Sequence, residues 1–465
     1  MTKFPTPMLM TGFMLASDAL AIFCSGAVSV SVRYAFEGQF HPSLYWDIWP
    51  VGLFFLMAYA AAGLYPGVLV SPPEELKRAS LATSFCFVGL AAVTFISREA
   101  ELYSRGIFLM SWVLILVALP VFRAILKSIV QRAQWWGYPA VIIGDGEAVV
   151  AVAKILLANP RMGVRPRAVL GGDKYLAQEA GLPHGEKSEA RIFAAKWKHS
   201  MAFVVPSEGD VCHWRDAYES HVRNFYRVIL IPGMFGLSSL WVAAVDFGGI
   251  LGLELKQKLL DPKRQVLKRG FDLVLIICLG VPIIPLALGL ALAIVLDSPG
   301  PVFYSHLRIG RGGRPIRVWK FRTMAKDADK ILDKYLQDNP ALLCEWEREH
   351  KIRKDPRVTR VGRFLRMTSL DELPQFWNVL KGDMSLVGPR PIVEGEIHRY
   401  REIFELYKRV RPGITGLWQI SGRSTVGYGE RINLDAYYVR NWSLWLDIYI
   451  MAKTPMEVCR CRGAV

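Results

Sequence analysis

Leu273–Leu296 reads LVLIICLGVPIIPLALGLALAIVL, a stretch without a single charge. It is long enough to cross a hydrocarbon core of roughly 30 Å. Pro282 and Pro285 stand near its middle. Each removes a helical hydrogen bond and crowds the preceding turn, so a sharp bend is expected there. Lys268, Arg269 and Asp272 lie at one end and Asp297 at the other. If the segment spans, every later residue moves to the far side of the membrane. If it bends back, both flanks stay on one side. Periodicity alone leaves the two open.

Four further apolar segments precede it, at about Met8–Val32, Trp49–Val70, Ala79–Ile96 and Ile107–Ile125. Each approaches or reaches the roughly 20 residues that a spanning helix needs. The first lacks a cleavage-site pattern and is too long for the apolar core of a signal peptide, so it is expected to stay as an anchor. Lys77 and Arg78 separate the second and third segments, and Arg123, Lys127 and Arg132 follow the fourth. By the positive-inside rule these charges place both ends of the bundle in the cytoplasm. Arg98 and Arg105 oppose that weakly.

The whole chain of 465 residues is 52% hydrophobic yet carries a formal net charge of +16. That combination points to a lipid bilayer and an anionic partner, whether anionic lipid, phosphate-bearing substrate or nucleic acid. The apolar N-terminal segments argue against nucleic acid as the main answer. The seven cysteines form no disulfide framework and have no histidine partners in a zinc pattern. This suits a reducing cytoplasmic face.

From about Trp136 the pattern is that of a soluble α/β domain. Strands are expected at Pro139–Ile143, Arg167–Leu170, Ala202–Pro206 and Val228–Ile231, with a helix over Ala148–Leu157. Gly144-Asp145-Gly146 resembles a dinucleotide fingerprint, but Val149 fills the third glycine position. The motif supports a Rossmann-like fold more than a function. A second boundary falls near Asp261-Pro262. The expected domains are 1–133, a transmembrane helical bundle; 134–262, the Rossmann-like domain; and 263–465, an α-rich domain containing the apolar helix at about 271–296.

The chemistry concentrates in the last of these. Thr368-Ser369-Leu370-Asp371-Glu372-Leu373-Pro374-Gln375 puts two adjacent carboxylates where a helix is expected to begin, with Asp371 at or near the N-cap and Gly382 as the stop. Neighbouring helical residues point about 100° apart. The pair is therefore expected to divide roles: one group attacks or accepts, the other holds a metal or a proton. The bland alternative is a capping box of Ser369 and Glu372. Around the pair, Lys320 and Arg322 stand in Lys320-Phe321-Arg322-Thr323-Met324, Arg366 lies five residues before Asp371, and Arg390 and Arg411 sit beside glycine and proline. Arginines on rigid, close-approaching backbone suit bidentate phosphate recognition, against the alternative of solvated surface charge.

Residues from about Lys268 to Ala464 resemble the bacterial sugar transferases that move a sugar 1-phosphate onto a polyprenyl phosphate. The blocks that carry the resemblance are KRGFD, the proline-broken apolar helix, DSPGPVFY, KFRTM, DPRVTRVGRFLR, TSLDELPQFWNVLKGDMSLVGPRP and RPGITGLWQISGR. The leading spans and the Rossmann-like domain look like the large subgroup that includes undecaprenyl-phosphate galactose phosphotransferases, as does the insert Asp338–Lys354. The resemblance implies a monotopic phosphoglycosyl transferase fold with a re-entrant membrane helix, broken at Pro282 or Pro285. It also implies catalysis by Asp371 and Glu372 on a UDP-hexose, galactose ahead of glucose, and undecaprenyl phosphate. Asp371 is then the expected nucleophile and Glu372 the expected Mg²⁺ ligand. Lys320, Arg322, Arg366, Arg390 and Arg411 are the expected phosphate binders. Trp442 and Trp445 are candidates for headgroup depth, with core packing as the alternative. A non-catalytic assembly scaffold and a nucleotide-sugar-modifying Rossmann enzyme are the competing readings. Oligomeric state, a homo-oligomer included, is left open.

Overall fold

The computed structural model describes residues 6–37, 45, 50–97, 103–133, 135–197, 200–206, 225, 227–231, 242–246, 251–255, 259, 261–338, 355–422 and 427–459. Most of the insert 338–354 lies outside them, as do Cys212, Cys344 and Cys461. The chain divides into two compact units, Met1–Phe235 and Gly236–Val465.

The first unit opens with α1 (Thr6–Glu37), α2 (Pro50–Ala61), α3 (Pro72–Ile96) and α4 (Arg105–Val130). Three of these are long and apolar enough to cross a membrane; α2 is not. The second span, expected over 49–70, is thus corrected to a 12-residue helix of about 18 Å. Beyond Gly63, in the left-handed region, the chain turns in and buries Leu64. Tyr65 then donates to Asp18 Oδ2 at 2.6 Å.

That bond belongs to a buried charge network. Arg123 of α4, 1% exposed, donates through Nε to Asp18 Oδ1 at 2.8 Å and through Nη1 to Glu75 Oε1 at 3.0 Å. Lys127 reaches the other Glu75 oxygen at 2.6 Å. Two acids and two bases balance, as buried ions must. The network joins the early part of α1, the loop after α2, the first turn of α3 and the end of α4. The chain therefore returns to one end of the bundle after α2 despite that helix's length.

At the same end, Met10, Met14, Val68 and Val130 share a core with Trp136, Tyr138 and Val164. The expected division at residue 133 is thus a change of architecture inside one packed unit. Here β1 (Tyr138–Gly144), β2 (Val164–Leu170), β3 (His184–Gly185), β4 (Met201–Val205) and β5 (Arg227–Leu230) form a parallel sheet ordered β3-β2-β1-β4-β5. α5 (Glu147–Ala158) follows β1, while α6 (Lys174–Glu179) and α7 (Ala190–Lys196) lie between β2 and β4. β1 is an apolar run because it is buried on both faces, as parallel sheets require. The misplaced Val149 is explained: it is fully buried in the helix–sheet core.

The second unit begins with the antiparallel hairpin β6 (Val242–Asp246) and β7 (Leu251–Leu255). The membrane helix α8 (Pro262–Asp297) follows. Helical structure continues through Pro282 and Pro285. A change of direction there is accordingly a bend within a helix and not a gap between two. The flanks of α8 are tied to the folded domain. Lys268 Nζ donates to Asp447 at 2.7 Å and Ser385 Oγ to Asp272 at 2.7 Å, while Asp297 accepts from the Val361 N–H at 2.9 Å. Between them Ile277, Val281 and Ile284 are more than half exposed.

After α8 come β8 (Phe303–Ile309) and β9 (Pro315–Phe321), paired antiparallel, then α9 (Ala328–Asp338), α10 (Arg360–Thr368) and α11 (Gln375–Lys381). β10 (Ser385–Val387) pairs in parallel with β11 (Gly413–Thr415), with α12 (Ile397–Tyr400) and α13 (Ile403–Tyr407) between them. α14 (Leu417–Ile420), α15 (Tyr428–Asn441) and α16 (Leu444–Cys459) complete the unit. Trp442 is buried and donates to Asp447 at 3.0 Å, so packing accounts for it and headgroup depth does not. Trp445 is half-buried.

Candidate active site

Asp371 and Glu372 occupy a short 3₁₀ turn, Leu370–Glu372, between α10 and α11. The helical N-cap is Pro374, three residues beyond the place expected for it. Ser369 takes a left-handed conformation, φ 57°, and its side chain caps nothing, which removes the capping-box alternative. Left-handed backbone at a residue with a Cβ costs of order 1 kcal/mol and is found where geometry matters more than comfort. Gly382 ends α11 as expected.

Two contacts fix this turn against β9. Asn378 of α11 accepts from the Trp319 N–H at 3.0 Å and donates to the Arg317 carbonyl at 2.6 Å, docking helix onto strand. On the other side, α10 presses Gly362 against Thr323, where a Cβ would lie 2.0 Å from the carbonyl oxygen. The docked strand delivers Lys320. Its Nζ lies 2.7 Å from Glu372 Oε1 and 3.4 Å from Asp371 Oδ2, so one ammonium serves both carboxylates.

The two acids differ in setting. The Asp371 side chain is 13% exposed and that of Glu372 is 31% exposed. Burial pushes the Asp371 carboxyl above the ordinary range, opposed by Lys320 and Arg366 and reinforced by Glu372. Burial would lower the Lys320 ammonium, but the adjoining Glu372 and Asp371 more than offset that and hold it above its usual value.

Arg366 donates to Thr323 Oγ1 at 3.0 Å while adding positive potential at Asp371. Arg390 comes from the loop Gly388-Pro389-Arg390-Pro391, which is clamped by the neighbouring glycine block. The Gly388 N–H donates to Thr415 and the Gly413 N–H to Pro389, and a Cβ on Gly413 would sit 2.1 Å from the Gly388 nitrogen. Arg390 is held below its usual basicity by burial and Arg431, with Glu372 acting the other way. Lys320, Arg366 and Arg390 are therefore brought to the carboxylate pair.

Two expected phosphate binders are turned elsewhere. Arg322 donates to the carbonyls of Ser298 and Pro299, finishing the end of α8. Arg411 donates through Nε to the Gly382 carbonyl at 2.8 Å, at the opposite end of α11 from the acids. Sequence reasoning passed over Asn378, Trp418, Arg431 and Asp435. Asp435 is buried, accepts from the Tyr400 hydroxyl at 3.0 Å, and is pushed up to about 7 by burial. The Arg431–Asp435 spacing on a helix, eight residues after the block that ends at Arg423, was the available signal.

Among the described residues, no group of three or more His, Cys, Asp or Glu converges as a metal cage. The site instead offers two carboxylates around one bound cation, the Lys320 ammonium. That donor set suits Mg²⁺, which binds through one or two carboxylates and completes its shell with substrate phosphate and water.

The family model described as bacterial sugar transferase matches residues 263–461, and one described as a CoA-binding domain matches residues 60–199. The chain is 35% identical over 388 residues to an undecaprenyl-phosphate galactose phosphotransferase of Salmonella typhimurium, covering 82% of this chain and 80% of the relative. It is 41% identical over 239 residues to a UDP-glucose:undecaprenyl-phosphate glucose-1-phosphate transferase of Escherichia coli, half of this chain and 48% of the relative. An exopolysaccharide production protein ExoY of Sinorhizobium fredii is 46% identical over 203 residues, which is 44% of this chain and 90% of that protein.

Proposed function

The chain belongs to the bacterial sugar transferase family, and from that premise we propose that it transfers hexose 1-phosphate from a UDP-hexose to undecaprenyl phosphate, releasing UMP. The observation that carries the reading is the acidic turn gripped by Lys320, with Arg366 and Arg390 beside it. Galactose is the sugar proposed, on the long resemblance to a relative named for it, with glucose as runner-up. Release of UMP against a panel of UDP-sugars identifies the donor. The absence of transfer with any of them would overturn the reading.

Asp371 acts as nucleophile. A carboxylate oxygen attacks the phosphorus next to the sugar, the bond from that phosphorus to the UMP oxygen breaks, and a phosphosugar ester remains on Asp371. A phosphate oxygen of undecaprenyl phosphate then attacks the same phosphorus and frees the carboxylate. Splitting one displacement into two is the gain of covalent catalysis. Lys320 and Arg390 stabilise the charge that gathers on the phosphoryl oxygens. Mg²⁺ held by Glu372 supplies charge neutralisation to the diphosphate when bound.

Lys320 also keeps Asp371 ionised, which gives a pH prediction. The nucleophile works as its anion, so activity is lost as pH falls through the raised Asp371 value. Lys320→Met removes the cation that opposes the rise. Its acid limb in kcat/KM moves to higher pH, and the plateau falls roughly ten- to a hundredfold. An unmoved acid limb would mean that Lys320 does not govern this ionisation.

The bundle and catalytic unit are placed in the bacterial inner membrane, with the site on the cytoplasmic face where nucleotide sugars are found. This requires α8 to re-enter. If straight, Arg269 and Asp297 would stand about 42 Å apart. Yet Arg269 binds the carbonyls of Val379 and Leu380, and Asp297 binds Val361, all within one short helical pair. Single cysteines near Lys263 and near Arg311, on a background lacking native cysteines, should both resist an impermeant thiol reagent in intact cells. Labelling of the Arg311 site alone would show a true span.

A further inference from the structure

Arg431 of α15 lies over the Trp418 ring at 4.9 Å and over the Tyr428 ring at 5.1 Å. Stacking holds a guanidinium flat while leaving its N–H groups for other work. Among the described residues, Arg431 Nε and Nη2 are buried without a hydrogen-bond partner, and so is Trp418 Nε1. Buried donors are nearly always satisfied, and charged ones are the most expensive to leave open. Three open donors around one indole therefore call for an acceptor.

The place of this group is informative. Arg390 lies over the same Trp418 ring at 5.2 Å, and its charge is felt by both Arg431 and Glu372. Two guanidiniums thus share one indole next to the acidic turn, despite their repulsion. Two carboxylates lie nearby, each with one oxygen engaged. Glu396 accepts from the Val393 N–H at 3.0 Å. Asp435 accepts from Tyr400 at 3.0 Å through one oxygen, and its other oxygen has no partner. A pairing of Arg431 with Asp435, one helical turn along, is the rival account. Paired positive charge with several open N–H donors matches an anion bearing more than one acceptor oxygen, which is the chemistry of phosphate.

We propose that Arg431 and Trp418 form a phosphate-oxygen subsite of the active centre, beside Arg390. The inference rests on the transferase reading above and adds to it the residues that grip one substrate phosphate. Both the nucleotide donor and the polyprenyl-phosphate acceptor carry that chemistry, and kinetics separates them.

The test uses the full-length protein in nanodiscs, with Arg431→Gln, Arg431→Lys and Trp418→Phe. Calorimetry measures UMP affinity, and turnover gives KM for UDP-hexose and for undecaprenyl phosphate separately. A donor subsite raises the UMP Kd and the UDP-hexose KM about ten- to a hundredfold in Arg431→Gln. An acceptor subsite raises only the undecaprenyl phosphate KM by that factor. Arg431→Lys keeps charge without the fork and recovers part of the loss, and Trp418→Phe weakens the same constant. If all three constants in folded Arg431→Gln stay within about twofold of wild type, the subsite is overturned, since charged bonds contribute more than that. Loss of thermal stability with unchanged constants assigns Arg431 to Asp435 instead, and also overturns it. Should Arg431→Gln not fold, the same readings on Arg431→Lys decide. A wild-type protein that makes no lipid-linked hexose phosphate sinks the transferase reading, while UMP binding still judges Arg431.

Discussion

Asp371→Asn lowers transfer of hexose 1-phosphate to undecaprenyl phosphate by at least about a thousandfold, the scale on which removal of a nucleophile is felt. The amide keeps the shape of the carboxylate but has no anionic oxygen with which to attack phosphorus. Asp371 lies in a turn fixed by Asn378 and by the close approach of Gly362 to Thr323. The substitution therefore has little structure to disturb, and membrane insertion and thermal stability should stay near wild type. Glu372→Gln is impaired as well, but through its altered dependence on Mg²⁺ concentration. Transfer is followed by radiolabel passing from UDP-hexose into organic-extractable lipid. Turnover near wild type in Asp371→Asn would remove the nucleophile assignment.

The second large effect is on stability and lies in the bundle. Asp18→Asn leaves Arg123 buried with Glu75 alone, and Glu75 already holds Lys127. Breaking a buried pair by removing one partner costs about 3–5 kcal/mol. That is a large fraction of the roughly 5–15 kcal/mol that keeps a domain folded. Purified Asp18→Asn should melt well below wild type. Asp18→Leu with Arg123→Leu removes one charge of each sign and leaves the Glu75–Lys127 pair intact, so it should recover much of the loss. If Asp18→Asn melts with wild type, the network is not holding the bundle ends together.

Four of the five strands of the parallel sheet were legible, β1 and β4 most clearly because burial on both faces demands an apolar run, whereas the two-residue β3 carries no such mark. The length of α2 was not legible. Hydropathy continues to Val70, but Leu64 is apolar because it packs inside the bundle, not because it faces lipid. The acidic pair was legible from its position beside Pro374. Its 3₁₀ turn was hidden because a left-handed serine at 369 has no sequence mark of the kind that glycine gives. The arginines show the same limit. Glycine and proline neighbours report a rigid backbone, but not where a long side chain ends. Arg411, beside Pro412 and Gly413, turns to a backbone carbonyl, whereas Arg390, between Pro389 and Pro391, comes within the field of Glu372. Trp442 reads as an interfacial residue until its indole nitrogen is found on Asp447.

Intact-mass spectrometry of the purified protein, after UDP-hexose is added without lipid acceptor, tests the central claim most directly. The account predicts one added hexose phosphate on wild type, discharged when undecaprenyl phosphate is supplied, and no addition to Asp371→Asn. An adduct of the same mass on Asp371→Asn, or active wild type that never carries one, would contradict a covalent step at Asp371.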